Sequence, residues 1–202
     1  MLLELVIATR NKKKVEEIRR ILEGMPVKLS SLDDFPGCPE VEEDADTFEG
    51  NAVKKALAVA RYSGCPAVAD DSGLEVYALN GAPGVFSARY AGAGAGDRKN
   101  LEKLLAELQG VEDPGRGGRF VCVIALAFPD GRVETFDGFV EGRIGGGPRG
   151  FNGFGYDPVF LPKGHERTFA EMSAGEKDAL SHRGRALEKL RFRLSSLIAM
   201  QS

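Results

Sequence analysis

The amino-acid sequence predicts an α/β fold, and three patterns along the chain support it. A nearly all-apolar run at 2–8 predicts a buried strand, and an amphipathic helix is predicted after it at 12–22. A second helix, predicted over 47–63, is followed at once by the apolar run 67–69, which predicts another strand. The long apolar stretch 120–128 then turns through Pro-Asp-Gly into a partner strand, which predicts an antiparallel hairpin.

The remaining elements complete this alternation of strands and helices. A short strand is predicted over 27–29, and a helix rich in leucine is predicted from Asp97 to Gly110. The segment 156–161 is predicted to be extended, and the last third of the chain is predicted to be helical. Its final helix has one apolar face, formed by Leu187, Leu190, Leu194 and Leu197.

The predicted helix over 47–63 carries recognisable signals at both ends. Asp46 and Glu49 have the spacing of a capping box, so we expect Asp46 to cap the helix. Gly64 and the proline beyond it are typical of a helix C-terminus.

Composition excludes several classes of protein. The 202 residues predict one domain, 1–202, and the net charge of −3 gives no global field that favours nucleic acid or an anionic membrane. No run approaches the roughly 20 apolar residues of a membrane span, and the first residues lack the basic region of a signal peptide. Cys38, Cys65 and Cys122 are odd in number and widely spaced, which favours reduced thiols in a cytoplasmic protein.

The stretch 67–76 holds two adjacent carboxylates, Asp70 and Asp71, followed by Ser72. We expect the strand to end there and the backbone to turn at Gly73. Two neighbouring aspartates repel each other, so a cation or a basic partner is expected nearby. The alternative is a polar turn between two strands.

A candidate anion site follows the first predicted strand. Thr9 to Lys14 leads into a helix N-terminus, where free N–H groups and the helix dipole favour an anion. Three lysines in the first turn oppose that dipole unless an anion binds there. The alternative is an exposed basic turn in which Asn11 only caps the helix.

An acidic run precedes the second helix. Within 36–50 it contains Glu40, Glu42, Glu43, Asp44, Asp46 and Glu49, with no basic residue among them. Such a run is commonly a solvated loop. It is equally consistent with one carboxylate that joins Asp71 in holding Mg²⁺.

Two later segments offer contacts for a planar ligand. Glycines within 151–158 let the backbone approach a ligand closely, and Phe154 or Tyr156 offers an aromatic face, although such aromatics are often packing residues. Farther along, Lys177, His182 and Arg183 supply hydrogen-bond donors, while Ser173 and Glu176 predict a capping box. His165 receives no role.

The sequence lacks the recognised motifs for phosphate-loop nucleotide binding and for a serine nucleophile. It contains no GxxxxGK[ST] and no GxSxG, and its one GxGxxG match opens no predicted helix. Metal-assisted attack by water is therefore better supported than nucleophilic catalysis.

Six motifs in order, spread over nearly the whole chain, resemble one known family. They are Thr9-x-Asn11-x-x-Lys14, Thr47-Phe48-x-x-Asn51-Ala52, Ala69-Asp70-Asp71-Ser72-Gly73-Leu74, the run from Gly81 to Tyr90, Gly153-Phe154-Gly155-Tyr156-Asp157-Pro158 and Ser181-His182-Arg183-Gly184. The sequence resembles the inosine triphosphate pyrophosphatase family, also called Ham1-like proteins.

The resemblance implies an α/β fold with an elongated mixed central sheet flanked by helices and two lobes with a cleft between them. It implies a homodimer that cleaves ITP, dITP and XTP, with Mg²⁺, to the monophosphate and pyrophosphate. The partners implied are a purine nucleoside triphosphate as substrate and a second copy of the chain, with no nucleic acid and no membrane.

The resemblance also assigns site residues. It places phosphate contacts at Thr9, Arg10, Asn11, Lys12, Lys13 and Lys14. It places contacts to the base and sugar at Phe154, Gly155, Tyr156, Asp157, Lys177, His182 and Arg183. Ser72 would contact substrate, Asp71 would be the proton acceptor or a metal ligand, and Glu42 is favoured as the second metal ligand, with Glu40 as its alternative. Arg10 and Asp46 depart from the usual pattern of the family.

These assignments lead to a mechanism in which an activated water attacks the α-phosphorus and metal and lysines stabilise the departing pyrophosphate. Two other classes remain open. A nucleotide sensor would bind the same ligands without releasing pyrophosphate. A nucleic-acid-binding module would use the basic turn, against which the acidic total argues.

Overall fold

The computed structural model describes residues 3–200, and within them it contains six strands and five α-helices. The strands are β1 (Leu3–Ile7), β2 (Val27–Ser31), β3 (Ala67–Val76), β4 (Gly117–Ala127), β5 (Val133–Ile144) and β6 (Phe160–Pro162). The helices are α1 (Lys12–Ile21), α2 (Phe48–Ser63), α3 (Asp97–Glu107), α4 (Ala174–Leu180) and α5 (His182–Ala199).

The strands form one mixed sheet in the order β2-β1-β3-β4-β5-β6. β1 pairs in parallel with both β2 and β3, as the crossover helices α1 and α2 require. β4 and β5 are neighbours joined by a short turn in which the Phe128 N–H donates to the carbonyl of Arg132, so they form the predicted antiparallel hairpin. β6 pairs antiparallel with β5. The prediction of a mixed α/β sheet is confirmed.

The chain divides into two compact units. The first consists of residues 1–71, 122–137 and 185–202, and the second of residues 72–121 and 138–184. The apolar faces of α1 and α5 pack in the core of the first unit, where Ile18, Leu187 and Leu190 are fully buried. Leu104 of α3 and Phe160 of β6 are buried in the core of the second unit.

The course of β3 corrects the prediction at Gly73. The strand continues without a turn from Ala67 to Val76, so Asp71 and Ser72 lie inside it rather than at its end. Alternation along a strand sends the side chains of Asp70 and Asp71 to opposite faces. Gly73 is therefore extended, and the buried strand continues through it to Val76.

The start of α2 also differs from the prediction. The N-cap is Thr47, whose hydroxyl oxygen accepts a hydrogen bond from the Gly50 N–H at 3.0 Å, so the assignment of the cap to Asp46 was wrong. Threonine, like aspartate, can fill this position because the cap needs only a side-chain oxygen acceptor on an extended backbone. Gly64 ends the helix in the left-handed conformation, as predicted.

The boundaries of several other elements differ from the predicted ones by a few residues. β1 and α1 end one residue earlier than predicted, and Leu2 lies outside the described residues. β2 and β4 are longer than predicted, because strand pairing extends beyond the apolar residues. The segment 156–161 is mostly turns, and only its last two residues belong to β6. In residues 3–200, none of the helices combines the length and the hydropathy needed to span a membrane.

Candidate active site

The loop after β1 is built around the N-cap of α1. Asn11 accepts hydrogen bonds through its side-chain oxygen from the N–H groups of Lys13, at 3.0 Å, and Lys14, at 3.3 Å. Its own N–H donates to the hydroxyl of Thr9 at 3.2 Å. Lys12 and Lys13 are exposed, and no acidic residue lies in the first turn of the helix. The N-terminus of α1 therefore presents positive charge and dipole to solvent.

Arg10 has a structural contact in this loop. Its guanidinium donates to the carbonyl oxygen of Cys38 at 2.9 Å, which ties the loop after β1 to the segment that leads to the acidic run. The three cysteines are free thiols, as predicted.

Asp70 and Asp71 are neutralised by different lysines. Asp70, fully buried, pairs with Lys14 of α1 at 3.2 Å. Asp71 pairs with Lys55 of α2 at 3.0 Å and accepts a hydrogen bond from the Asn51 amide at 3.3 Å. Because consecutive side chains of a strand point to opposite faces, each aspartate meets a helix on its own side of the sheet. The expected basic partners are present, one for each carboxylate.

Lys55 also binds the acidic run. Its ammonium donates to Glu43 at 2.8 Å, so Glu43 and Asp71 share one lysine nitrogen. Glu42, which the resemblance favoured as a metal ligand, is exposed. The structure therefore brings Glu43 rather than Glu42 to Asp71.

Burial and neighbouring charges shift the pKa values of Asp71 and Lys55. Burial raises the pKa of the Asp71 carboxyl above its usual value, an effect that Lys55 and Lys14 oppose and Glu43 increases. Burial also acts to lower the pKa of Lys55, but attraction to Asp71, Asp70 and Glu43 outweighs it, and the pKa is raised. Lys55 therefore stays protonated, and its ammonium lies between the carboxylates of Asp71 and Glu43.

The donor set fits a divalent cation held partly by substrate. Across residues 3–200, no three His, Cys, Asp or Glu side chains gather into a group that could hold a metal ion alone. Mg²⁺ typically takes only one or two protein carboxylates and completes its shell with water and substrate phosphates. Glu43 and Asp71 each place an oxygen within 3.0 Å of the same nitrogen, so they could serve as those two carboxylates.

In the second unit, a buried ion pair organises the glycine-rich loop. Asp157 pairs with Lys177 at 2.5 Å, and both side chains are buried. The same carboxylate oxygen accepts a hydrogen bond from the Phe154 N–H at 2.9 Å. The Lys177 ammonium lies 4.8 Å from the centre of the Phe154 ring, within the range of a cation–π contact. Asp157 thus holds both the ring and the ammonium in place.

Arg183 and His182 lie at the start of α5, and both are buried. The Arg183 guanidinium donates to the Ser72 hydroxyl at 2.8 Å, and its carbon lies 5.6 Å from the centre of the Phe154 ring. The His182 ring stacks on Phe120 at 4.7 Å. This stacking contributes to the burial of His182.

Tyr156 and Gly155 make structural contacts. Tyr156 is buried, and its hydroxyl donates to the carbonyl of Ser87 at 2.9 Å. The Gly155 N–H donates to the Asp97 carboxylate at 2.8 Å. Within this unit, the predicted residues Ser72, Phe154, Asp157, Lys177 and Arg183 are brought together, whereas Tyr156 faces the core.

Sequence reasoning missed Lys55 and Asn51 as members of the first cluster. Asn51 appeared only as part of a motif, and Lys55 was not singled out. Both follow from helical spacing, since residues four apart lie on one face of α2. Helical spacing does not tell which element this face contacts. Only the packing of the face on β3 identifies Asn51 and Lys55 as members of the cluster.

A family model described as the Ham1 family matches residues 5–193. The chain belongs to the Ham1 family. The resemblance seen in the six motifs is thereby confirmed.

Members of the Ham1 family with curated names are similar to this chain over nearly all of its length. The dITP/XTP pyrophosphatase of Syntrophobacter fumaroxidans is 60% identical over 186 residues, which cover 92% of this chain and 79% of that protein. The dITP/XTP pyrophosphatase of Geobacter sulfurreducens is 54% identical over 187 residues, covering 93% and 94%.

Solved structures of the Ham1 family share the fold. The HAM1 protein from Coxiella burnetii superposes with a TM-score of 0.88 at 44% identity, covering 96% of this chain and all of that one. The Ham1 protein of Staphylococcus aureus gives a TM-score of 0.85 at 40% identity, covering 96% and 98%.

Proposed function

We propose that this Ham1 family protein is a nucleoside triphosphate pyrophosphohydrolase that converts ITP, dITP and XTP to the monophosphate and pyrophosphate. The observation that carries the proposal is the Asp71 carboxylate, held between Lys55 and Asn51 with Glu43 on the same lysine. In such a cluster, the carboxylate can accept a proton from water and the lysine places positive charge near a phosphate. Two similar proteins named dITP/XTP pyrophosphatase support the same reaction.

The triphosphate is assigned to the residues around Asp71 and the start of α1. The positive end of the α1 dipole, the Thr9 hydroxyl and the ammonium groups of Lys14 and Lys55 supply positive charge and donors for phosphate oxygens. These positive groups stabilise the charge that develops on the departing pyrophosphate. Asp71 accepts the proton of the attacking water.

Mg²⁺ is the proposed cofactor, and Glu43 and Asp71 are its proposed protein ligands. When bound, it supplies Lewis-acid activation and neutralises phosphate charge. Glu42 and Glu40, on the same acidic run, are the alternatives to Glu43.

The purine is assigned to the residues around Phe154. The Phe154 ring offers a stacking face, and Lys177, His182 and Arg183 supply donors suited to a 6-keto oxygen. A 6-amino group, as in ATP, would leave such donors unpaired, and that penalty provides discrimination. Asp157 positions Lys177 for its contact with the purine, and Ser72 positions Arg183 in the same way.

The protein is proposed to act as one Ham1-like domain, 1–202, in the cytoplasm and as a homodimer. These three statements rest on the resemblance to the family. Size-exclusion chromatography with light scattering measures the dimer directly.

The function is tested by incubating the purified protein with ITP, dITP, XTP, ATP and GTP, with and without Mg²⁺. We expect pyrophosphate from the first three nucleotides only, and only when Mg²⁺ is present. Asp71→Asn should reduce turnover by on the order of 10³-fold or more, because the proton acceptor is lost while the shape is kept. Asp137→Asn is the matched control, since Asp137 forms only an exposed pair with Lys189.

Three outcomes contradict parts of the proposal. Orthophosphate as product would exclude attack at the α-phosphorus. Binding of ITP without turnover would identify a nucleotide sensor. Near-normal turnover by Asp71→Asn would remove Asp71 from the catalytic residues.

A further inference from the structure

Asn51 is a fully buried polar residue of α2 that the proposed reaction does not use directly. Its side-chain oxygen accepts a hydrogen bond from the Ala45 N–H at 3.0 Å. Its side-chain nitrogen donates to the Ala45 carbonyl at 3.3 Å and to the Asp71 carboxylate at 3.3 Å. One asparagine therefore joins the acidic run to the carboxylate on β3.

The orientation of this amide is fixed by the backbone. A backbone N–H can only donate and a carbonyl can only accept, so the Asn51 oxygen must face the former and its nitrogen the latter. The second N–H of the Asn51 amide is then left for Asp71. Asp71 consequently receives a donor whose position is set by the loop, independently of the carboxylate itself.

Asn51 and Lys55 act on the two oxygens of the same carboxylate. Asn51 donates to one oxygen of Asp71, and Lys55, one helical turn later, donates to the other. Both residues also hold the acidic run, Asn51 through Ala45 and Lys55 through Glu43. Two contacts on opposite oxygens prevent the carboxylate from rotating.

We infer that Asn51 is a positioning residue, which sets the orientation of the Asp71 carboxylate and its register with Glu43. This inference rests on the proposed function, in which Asp71 is the proton acceptor. A misplacement of about 1 Å near the reacting atoms can cost on the order of 10²-fold in rate. The role of Asn51 is thus to keep Asp71 in the productive geometry, without contact with the substrate.

The chain contains a matched control in its second unit. Asn100 of α3 is buried as well, and its amide accepts from the Ala91 N–H at 2.8 Å and donates to the Ala88 carbonyl at 3.1 Å. It anchors a loop to the following helix as Asn51 does, and it differs in making its hydrogen bonds to backbone groups rather than to a carboxylate.

The test compares Asn51→Asp and Asn51→Ser with Asn100→Asp and Asn100→Ser. Either aspartate keeps the volume and the acceptor for the loop N–H but loses the donors. We expect Asn51→Asp to lower kcat for ITP by on the order of 10²-fold, with KM changed by less than about threefold. Asn100→Asp should destabilise the fold to a comparable extent, yet leave kcat within about threefold. The serine variants introduce no charge, so they remain informative if an aspartate variant does not fold.

A crystal structure of Asn51→Ser gives a readout that does not depend on turnover. We expect the Asp71 carboxylate to rotate away from its position beside Lys55, with an atomic shift of about 1 Å, while the backbone of α2 stays in place. An unmoved carboxylate would overturn the inference, and so would equal kcat losses in the two asparagine pairs. If the wild-type protein released no pyrophosphate, the proposed function would fail, and the crystal structure alone would decide the role of Asn51.

Discussion

At the scale of single residues, the two adjacent aspartates of β3 have separate roles. Asp70 forms a buried ion pair with Lys14, which holds that lysine at the start of α1. Asp71 faces α2 and shares Lys55 with Glu43. The repulsion that the sequence suggested is relieved because the strand sends the two carboxylates to opposite faces.

Neighbouring lysines of α2 allow a direct test of this arrangement. In Lys55→Met, two carboxylates lose their cation in a largely buried position, so we expect unfolding to become easier by about 3 kcal/mol. Urea unfolding measures the change, and ITP turnover should fall with it. Lys54→Met is the control, because Lys54 forms only an exposed pair with Asp44. Equal urea midpoints for the two variants would contradict the role given to Lys55.

Sequence motifs named several of the residues that the structure brings together. Lys14, Asp71, Lys177 and Arg183 were named from sequence, and the structure places each in one of the two clusters. Choosing Glu43 over Glu42 required the structure, because a charge run does not tell which side chain turns inward. These site roles stay predictions until the variants are measured.

At the scale of elements, the capping box of α4 was predicted correctly. Ser173 caps the helix, and its N–H donates a hydrogen bond to the Glu176 carboxylate at 2.8 Å. The pKa of Glu176 is lowered to about 2, first by the hydrogen bond from Arg167 and then by those from Ser173.

This depressed pKa has a defined effect on stability. Glu176 stabilises the fold fully above its unfolded pKa of about 4.3, and the contribution is lost as the pH falls towards the folded pKa near 2. Glu176→Gln should therefore lower the urea midpoint at pH 7, and the difference from wild type should shrink between about pH 4 and pH 2. A difference that grows as the pH falls would have the wrong sign.

Gly153 is one of the glycines that the loop before β6 requires. Gly153 has φ +72°, and a Cβ placed there would collide with the carboxylate of Asp157, the partner of Lys177. Gly153→Ala should destabilise the fold by about 1–3 kcal/mol through backbone strain alone, and it should raise KM for ITP.

Gly146 provides the control for this substitution. It lies outside the left-handed region, and a Cβ there would meet no heavy atom within 4 Å. Gly146→Ala should leave both the melting temperature and KM unchanged. If Gly153→Ala behaved in the same way, the loop would not position Asp157 as described.

At the scale of the whole molecule, local patterns predicted the order of elements but not their grouping. Boundaries between the two compact units fall within β3, β4 and β5, where periodicity shows no break. Contacts such as that between Arg183 and Ser72 join residues 111 positions apart, beyond the reach of any local pattern. Family resemblance supplied what periodicity could not, namely which distant motifs belong together.

The low exposure of the site lysines has a consequence for chemical reactivity. Side chains of Lys14, Lys55 and Lys177 are only 15%, 12% and 5% exposed, whereas those of Lys28, Lys54 and Lys189 are 65%, 43% and 53% exposed. An amine-acylating reagent therefore reaches the second set in the native protein and the first set only after local opening. Because Lys55 belongs to one unit and Lys177 to the other, their acylation, read by mass spectrometry, reports on the two units independently.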